Sequence, residues 1–335
     1  MTLNLNLASE RARQLAPGFI ASAIIAAAAT FLSEHYKAPV MLFALLLGMA
    51  MNFLAADGKC KPGIEFTARE ILRVGVALLG LRITFSQIAA LGWQPVILVL
   101  VSVVVTILIA MVVARAMGFQ TLFGLLTGGA TAICGASAAL ALSAALPAHP
   151  GKEKATLFTV IGVSALSTLA MIAYPMVVNL LHLSPSEAGV FLGGTIHDVA
   201  QVVGAGYGMS QETGDTATVV KLMRVAMLLP VIAFASMVTR IRGAQDGGKR
   251  PPILPWFAVG FVLLAAINST GWVPTLVQSF GNELSRWCLV IAISALGMKT
   301  QLKELATVGI KPIVLMVGET IFLAGLVLLM MRWGL

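Results

Sequence analysis

Side chains that could exchange protons or bind ions lie together in one otherwise apolar stretch of this sequence. His197 and Asp198 are adjacent, and Gln201 follows four residues after His197. Residues four apart share one face of a helix, imidazole titrates near neutral pH, and a carboxylate can carry a proton, bind a cation or neutralise a base. We therefore predict that His197 and Asp198 form a proton- or ion-coupling pair. The alternative is a structural hydrogen-bond cluster.

Two basic residues follow in the next apolar stretch. Lys221 and Arg224 are three apart and would share a helical face. Cations inside a membrane need partners, and both Asp198 and a bound anion are candidates. The two cations exceed that single carboxylate by one charge, and a planar guanidinium matches oxyanions well, so an anionic substrate is favoured. In the alternative, the helix starts later and both side chains reach water at the outer interface.

Two apolar stretches each contain a Gly-Gly pair, Gly128–Gly129 and Gly193–Gly194, followed by small and polar residues. Glycine lets a helix unwind close to a ligand, and an interrupted helix offers backbone N–H groups and a positive dipole end to an anion. The alternative is close helix packing through small residues. The predicted substrate-binding residues are Gly128, Gly129, Thr131, Cys134, Gly135, Ser137, Gly193, Gly194, Thr195, Gln201, Lys221 and Arg224.

The sequence predicts neither a metal site nor a cofactor site. Its three cysteines, Cys60, Cys134 and Cys288, form no Cys-x-x-Cys pair and no zinc-binding spacing. Motifs of zinc hydrolases, serine hydrolases and phosphate-binding loops do not occur, so we expect no catalytic residues and no enzyme activity. Glu319 and Asn268 are single polar residues in later apolar runs, and a packing hydrogen bond would explain each of them.

The composition is that of a membrane protein. The 335 residues are 59% hydrophobic and only 11% charged, with a net charge of +8, whereas soluble domains carry about 25% charged residues. The basic residues lie in short gaps between apolar runs and form no patch, so no nucleic-acid partner is expected. An ordinary soluble enzyme and a disordered protein are both excluded.

The apolar runs predict an all-α polytopic membrane protein with about eleven transmembrane helices, two of them interrupted. Turn residues separate the runs at Asp57–Gly58, His149–Gly151, Ser184–Pro185 and Gly243–Pro252. The predicted spans are 17–33, 39–56, 66–81, 94–117, 120–147, 154–181, 186–209, 215–239, 253–269, 280–298 and 311–331.

Lysine and arginine in the short loops predict the orientation of the chain. They concentrate on the cytoplasmic side if residues 1–16 form a cytoplasmic N-terminus. An odd number of spans then places the C-terminus on the periplasmic side. We predict one transmembrane transporter domain over residues 1–335, with core elements near 120–240 and the remaining spans as a panel or scaffold.

The sequence also contains an internal repeat. Residues Leu79–Pro95 match Leu296–Pro312, and both copies run from Leu-Gly-apolar-basic through a short amphipathic stretch to Gly-x-x-Pro. An odd number of predicted spans separates the copies, so they would face opposite sides of the membrane. Such inverted repeats are typical of secondary transporters. The alternative is chance similarity between leucine- and glycine-rich segments.

Five motifs together resemble a known family: Gly80–Gly92, Gly128–Ala139, Gly193–Gly206, Val219–Pro230 and Pro255–Phe257. The chain resembles the YeiH-like family of bacterial inner-membrane proteins, which are named as candidate sulfate exporters. That family is distantly similar to the cation:proton antiporter and bile-acid transporter superfamily. The similarity implies two crossed, interrupted helices and elevator-type alternating access. The second glycine pair precedes the second repeat copy, so the symmetry is incomplete or rearranged.

These observations predict a secondary transporter that exports a small anion, such as sulfate or a related sulfur-containing anion, with proton coupling. The alternative is a monovalent cation:proton antiporter that uses Asp198, and a receptor or membrane enzyme is a third possibility. The expected partners are the anion, protons or a coupling cation, and the lipid bilayer. The expected location is the bacterial inner membrane, and relatives of the elevator type suggest a homodimer.

Overall fold

The computed structural model describes residues 2–36, 40–56, 58–147, 151–241, 256–300 and 309–334. Every regular element in these ranges is a helix, as predicted. The α-helices are α1 (Thr2–Tyr36), α2 (Val40–Ala50), α3 (Phe53–Ala56), α4 (Lys61–Phe66), α5 (Leu72–Leu78), α6 (Phe85–Ala90), α7 (Gln94–Ala116), α8 (Thr121–Ala132), α9 (Ala136–Ala145), α10 (Lys152–Leu180), α11 (Pro185–Thr195), α12 (Val199–Met209), α13 (Gln211–Ala226), α14 (Leu228–Ile241), α15 (Trp256–Ser269), α16 (Thr275–Lys299) and α17 (Ile310–Arg332).

Several helices are long and apolar enough to cross a bilayer. Five described segments meet both conditions: Glu10–Tyr36, Gln94–Ala116, Lys152–Leu180, Gln211–Ala235 and Ile310–Arg332. Shorter apolar helices accompany them, namely α2, α8, α9 and α15. Large apolar side chains are exposed along these helices, as expected where lipid replaces water. The chain is therefore an all-helical, multi-pass membrane protein.

The described residues divide into two compact units. The first comprises the residues up to Ala90, Tyr207–Met209 and the described residues from Trp256 to 300. Here α1 packs on α2 and α4, and α16 packs on α2 and α5. Gly18 and Gly63 bring two backbones together, because a Cβ added at Gly18 would lie 2.1 Å from the Cys60 carbonyl oxygen. Small residues at helix contacts are how membrane helices approach closely.

The second unit comprises the other described residues. Its most extensive helix contacts are α7 with α8 and α11 with α13, and α17 packs on α7, α8, α10 and α11. The capping box of Ser184 and Glu187 starts α11: the Ser184 hydroxyl accepts a hydrogen bond from the Glu187 backbone, and the Glu187 carboxylate accepts one from the Ser184 backbone. This unit contains the helices that carry the predicted site residues. All of them lie in it completely except α12, of which it contains Val199–Gly206.

Some predicted features lie outside the described residues. They include Asp57, His149–Pro150 and the whole separator Gly243–Pro252. The same is true of Pro255 in the last family motif and of residues 301–308 in the second repeat copy. The count of about eleven spans, the inverted repeat and the division into core and panel stay predictions.

Candidate functional site

Two helix breaks lie against each other in the second unit. The first separates α8, which ends at Ala132, from α9, which begins at Ala136; the second separates α11 and α12 at residues 196–198. Gly135 has a φ of 63° and a ψ of −130°, a backbone conformation that residues with a Cβ rarely adopt. A Cβ added there would lie 3.6 Å from the backbone and Cβ of His197. One break therefore packs directly on the other.

Lys221 binds both breaks. Its Nζ donates to the carbonyl oxygens of Ile133 at 2.6 Å and Ile196 at 3.0 Å, and also to that of His197. An ammonium group has three N–H donors, and backbone carbonyls accept all three. The side chain is 0% exposed.

Arg224, one helical turn further along α13, binds the ends of the same two helices. Its Nε donates to Ala132 O at 2.8 Å, and its Nη2 donates to Thr131 O at 2.9 Å. Its Nη1 donates to Gly193 O at 3.1 Å and to Ile196 O at 3.0 Å. Like Lys221, it is 0% exposed, so neither side chain extends to the surface in the way that the interface alternative required.

The two cations bind carbonyl groups that the helix breaks leave without partners in their own helices. The last carbonyls of a helix have no partner within it and carry the negative end of the helix dipole. Burying such groups unpaired is costly in free energy. Lys221 and Arg224 supply seven hydrogen bonds to carbonyls at these helix ends and in the breaks that follow them. They thereby join the C-terminal ends of α8 and α11 to α13. We call these two side chains and the carbonyls they bind the cation clamp.

His197 is fully buried and lies between α8 and α17. Its Nδ1 is 3.1 Å from Thr131 O, and its Nε2 is 3.0 Å from Thr320 Oγ1. A carbonyl only accepts, so Nδ1 carries a proton. Thr320 Oγ1 is also 2.8 Å from Met316 O. A neutral imidazole can therefore accept from Thr320, whereas an imidazolium can donate to it while the hydroxyl donates to Met316.

Glu319 precedes the Thr320 that contacts this histidine, and it is 5% exposed. Its Oε1 accepts from Thr127 Oγ1 at 2.7 Å, and its Oε2 accepts from Thr131 Oγ1 at 3.1 Å. The sequence reasoning assigned Glu319 no part in the site. The signal that could have found it is the rule that an ionisable residue inside a membrane span is functional by default.

Asp198 and Gln201 face another helix. The Asp198 backbone N–H donates to Ser167 Oγ at 3.0 Å, and its Oδ1 caps α12 by accepting from the Ala200 N–H at 3.0 Å. Gln201 Nε2 is 3.5 Å from Thr168 Oγ1, and its buried Oε1 has no hydrogen-bond partner among the described residues. The His197 ring and these two Asp198 groups thus bind different neighbours, although the two residues are adjacent.

The glycine pairs lie in the helices before the breaks. A Cβ added at Gly128 would lie 2.4 Å from Ala110 Cβ, and one at Gly193 would lie 2.5 Å from Ala217 O. A Cβ at Gly129 would lie 2.3 Å from Leu142 Cδ1, while one at Gly194 has 3.4 Å to its nearest neighbour. Three of the four glycines thus permit close packing, which is the alternative that small residues left open.

The remaining predicted residues are less central. Thr195 Oγ1 donates to Phe191 O in its own helix at 2.6 Å. Cys134 is buried inside the first break, and Ser137 is exposed in the first turn of α9. The part of the chain that the structure describes contains no group of three His, Cys, Asp or Glu side chains placed to hold a metal ion.

A multi-pass helical chain with buried charges at two helix breaks is a polytopic integral membrane protein. The chain belongs to the family described as Conserved hypothetical protein 698, whose model matches residues 17–316. It is 56% identical to a UPF0324 membrane protein of Chlorobaculum tepidum, over 95% of this chain and 89% of that protein. It is also 55% identical to the UPF0324 membrane protein TauZ of Paracoccus denitrificans, over 92% of each chain.

A more distant member is similar over nearly the same length of chain. A UPF0324 membrane protein of Bacteroides thetaiotaomicron is 31% identical over 89% of this chain and 92% of its own length. The family membership that the motifs indicated is confirmed. The distant relation to cation:proton antiporters and bile-acid transporters stays a prediction.

Proposed function

We propose that this chain is a proton-coupled secondary transporter that moves a small anion by alternating access. The observation that carries the proposal is the cation clamp, in which Lys221 and Arg224 are fully buried at two helix breaks. Charged residues inside a membrane are costly and mark substrate or ion pathways. Interrupted helices are the best pointer to the binding site of a secondary transporter.

The polarity of the breaks favours an anion. All hydrogen bonds of the two cations in the clamp go to uncharged backbone carbonyls, so these contacts do not cancel the positive charges. The N-terminus of α9, immediately after the first break, has no side-chain cap and presents the positive end of its dipole. Ser137 is exposed in that first turn. An anion near Ser137 would meet backbone N–H groups of the first turn of α9 and the field of the clamp.

The clamp acts at a distance in this proposal. All three donors of Lys221 are occupied, and Arg224 uses four of its five. Their contribution to anion affinity would therefore be electrostatic. The predicted ligands with accessible polar groups, Ser137 foremost, would make the direct contacts.

An inverted repeat with about eleven spans would suit this function. Gly92 and Gly309 occupy equivalent places in the two repeat copies, and their φ angles are 72° and 89°. Each glycine lies within two residues of the start of a long apolar helix, α7 or α17. The matched backbone conformation supports a repeat.

Sulfate or a related sulfur-containing anion is the substrate class that the sequence resemblance suggests. We also propose the bacterial inner membrane as location, a cytoplasmic N-terminus and a homodimer. His197 and Asp198 remain the proposed coupling groups, because one has two hydrogen-bonding states and the other caps the helix that follows the break.

The direct test is flux in proteoliposomes. Purified chain is reconstituted, and uptake of radiolabelled sulfate and sulfite is followed with and without an imposed pH gradient. We expect pH-dependent flux that Lys221→Gln and Arg224→Gln abolish and that Lys311→Gln, at an exposed position, leaves intact. Melting temperatures identify the folded variants. Unchanged flux in both folded clamp variants would remove the role of their charge.

A cation:proton antiporter is the second candidate, and one observation favours it. The buried Gln201 Oε1, which lacks a hydrogen-bond partner among the described residues, lies one turn after Asp198. A carboxylate and an amide oxygen are ligands suited to a small cation. Sodium-dependent proton flux that Asp198→Asn abolishes, together with no anion flux, would establish this function in place of the first.

A further inference from the structure

Glu319 is a buried acid that the function proposed above leaves without a role. Its carboxyl group lies between α17 and α8 and takes hydrogen bonds from the hydroxyls of Thr127 and Thr131. Within the residues that the structure describes, no ion pair involves Glu319. An ionised carboxylate without water needs a compensating charge. A proton on the carboxylate is one such charge, and a bound cation is another.

The hydrogen bonds around Glu319 accommodate a proton without moving a heavy atom. Thr127 Oγ1 lies 2.7 Å from Glu319 Oε1 and 3.1 Å from Phe123 O. When the carboxylate is ionised, the Thr127 hydroxyl donates to it. When a proton bonds to Oε1, the new O–H donates to Thr127 Oγ1, and the Thr127 hydroxyl turns to Phe123 O. Both states leave every group satisfied.

Thr131 connects this acid to the cation clamp. Its hydroxyl donates to Glu319 Oε2, while its carbonyl accepts from His197 Nδ1 and from Arg224 Nη2. Thr131 lies in the last turn of α8, just before the break. A change of charge on Glu319 therefore acts on the residue that holds both the histidine and the clamp.

Few other titratable groups face Glu319. The described helices that pack against α17 are α7, α8, α10 and α11, and α8 carries no titratable side chain. α17 itself carries Lys311 and Arg332 besides Glu319. Cys134 lies in the first break, and His197, Asp198, Lys221 and Arg224 belong to the second break and α13. The titratable residues of the neighbouring helices are Arg115, Lys152, Glu153, Lys154, Tyr174 and Glu187. All of these but Tyr174 lie in the first or last turn of their helix.

We propose that Glu319 takes up and releases a coupled proton alongside the His197–Asp198 pair, and that Thr131 transmits its charge state to the two breaks. His197 would respond as the second member of the chain, through Thr131 and through Thr320, which neighbours Glu319 on α17. The transport consequence rests on the proposed function, but the protonation of Glu319 can be tested without it.

Infrared difference spectroscopy of the full chain in lipid bilayers measures that protonation directly. As the pH falls from alkaline values to about 6, where exposed carboxylates are still ionised, we expect a carbonyl stretch of a carboxylic acid to appear in the wild type. Glu319→Gln should lack this band. Glu212→Gln, at an exposed position on α13, should keep it. The proposal is overturned if the band persists in Glu319→Gln or never appears in the wild type. The proposal is also overturned if a bound cation, and not a proton, compensates the charge of Glu319. In that case sodium, compared with choline, would alter carboxylate bands in the wild type but not in Glu319→Gln.

A second variant covers the case in which Glu319→Gln does not fold. Thr131→Val keeps the shape of the side chain and removes one of the two donors to the carboxylate. The ionised form then loses a hydrogen bond, so the proton becomes harder to remove and the band persists to higher pH. If the pH midpoint of the band is unchanged in Thr131→Val, the proposed connection between Thr131 and the protonation of Glu319 is contradicted.

Flux measurements separate this inference from the proposed function. One unit of pH difference can drive up to about tenfold accumulation per coupled proton. We expect Glu319→Gln to lose this accumulation for sulfate or sulfite, and Glu212→Gln to retain it. If Glu319→Gln keeps full pH-driven accumulation, Glu319 is not a coupling group. If the infrared band titrates but no probe anion moves in the wild type, the assignment of Glu319 stands and the proposed transport function fails.

Discussion

Lys221 and Arg224 are both cations at the same breaks, but they use their hydrogen-bonding capacity differently. The ammonium of Lys221 reaches three carbonyls from a single point, at residues 133, 196 and 197. The flat guanidinium of Arg224 spans the gap between the ends of α8 and α11. Lys221 binds the unwound segments, and Arg224 binds the helix ends together with Ile196 of the second break.

Removing the ammonium should leave the buried carbonyls of Ile133 and His197 without their donor, whereas that of Ile196 keeps its hydrogen bond from Arg224. Each unsatisfied buried acceptor costs about 1–3 kcal/mol, so Lys221→Met, which keeps the stem of the side chain, should lower the melting temperature of the protein markedly. Thermal unfolding in detergent measures the effect. Lys311→Met is the matched control at an exposed position and should change the free energy of unfolding by no more than about 0.5 kcal/mol. Equal melting temperatures for the two variants would refute the holding role of Lys221.

Arg224→Lys separates charge from geometry. The substitution keeps the positive charge but replaces a planar fork with a single point of three donors, which is not a conservative change at a multidentate site. We expect a lower melting temperature and reduced anion flux, because one ammonium has three donors at a single point, whereas the guanidinium makes four hydrogen bonds from three nitrogens. A variant with the stability and flux of the wild type would mean that charge alone matters at this position.

At the scale of the helices, the site depends on how closely α11 approaches α13, because α13 carries both cations. Gly193 sits at this contact, where a Cβ would lie 2.5 Å from Ala217 O and 2.9 Å from Val220 Cβ. A backbone oxygen cannot yield as the end of a flexible side chain can. The position of the cations relative to the second break thus rests on a residue without a side chain.

Adjacent glycines give a matched test of this contact. Gly193→Ala should force α11 away from α13 and destabilise the protein by about 1–3 kcal/mol, as overpacking does. Gly194→Ala should have a much smaller effect or even stabilise the helix, because its new Cβ would find 3.4 Å to Val327 Cγ1. Thermal unfolding and anion flux of the two variants measure the difference. Similar losses in both would show that the α11–α13 contact is not what positions the clamp.

The sequence could indicate these elements but not the role of each glycine. Small and polar residues within apolar runs predicted interrupted helices in the right two stretches. The helices, however, end at Ala132 and Thr195, after the glycine pairs rather than at them. A glycine that unwinds a helix and a glycine that admits a neighbouring helix look alike in one sequence. Only the positions of α7 and α13 show that Gly128 and Gly193 belong to the second kind.

At the scale of the whole molecule, composition and run length were sufficient for the class of protein. Few charges and long apolar runs admit only a helical membrane protein, and the described helices agree. The hydrogen-bond partners of Glu319 could not be predicted, because Thr127 and Thr131 precede it by 192 and 188 residues. No local pattern records which helix faces meet across such a separation. Likewise, the carbonyls bound by Lys221 and Arg224 belong to two different helices, and spacing along one helix cannot identify them.

The orientation of the whole chain yields the last prediction. Cytoplasmic loops of membrane proteins are enriched in lysine and arginine, and that bias places Lys59 inside and the segment after α17 outside. In a chain whose three native cysteines are replaced, Trp333→Cys should react with a membrane-impermeant maleimide in spheroplasts. Lys59→Cys should react only after permeabilisation. Both positions are exposed, so packing does not limit the reaction. An even number of spans between the positions would put both cysteines on the same side, and equal labelling in intact spheroplasts would therefore reject the predicted topology.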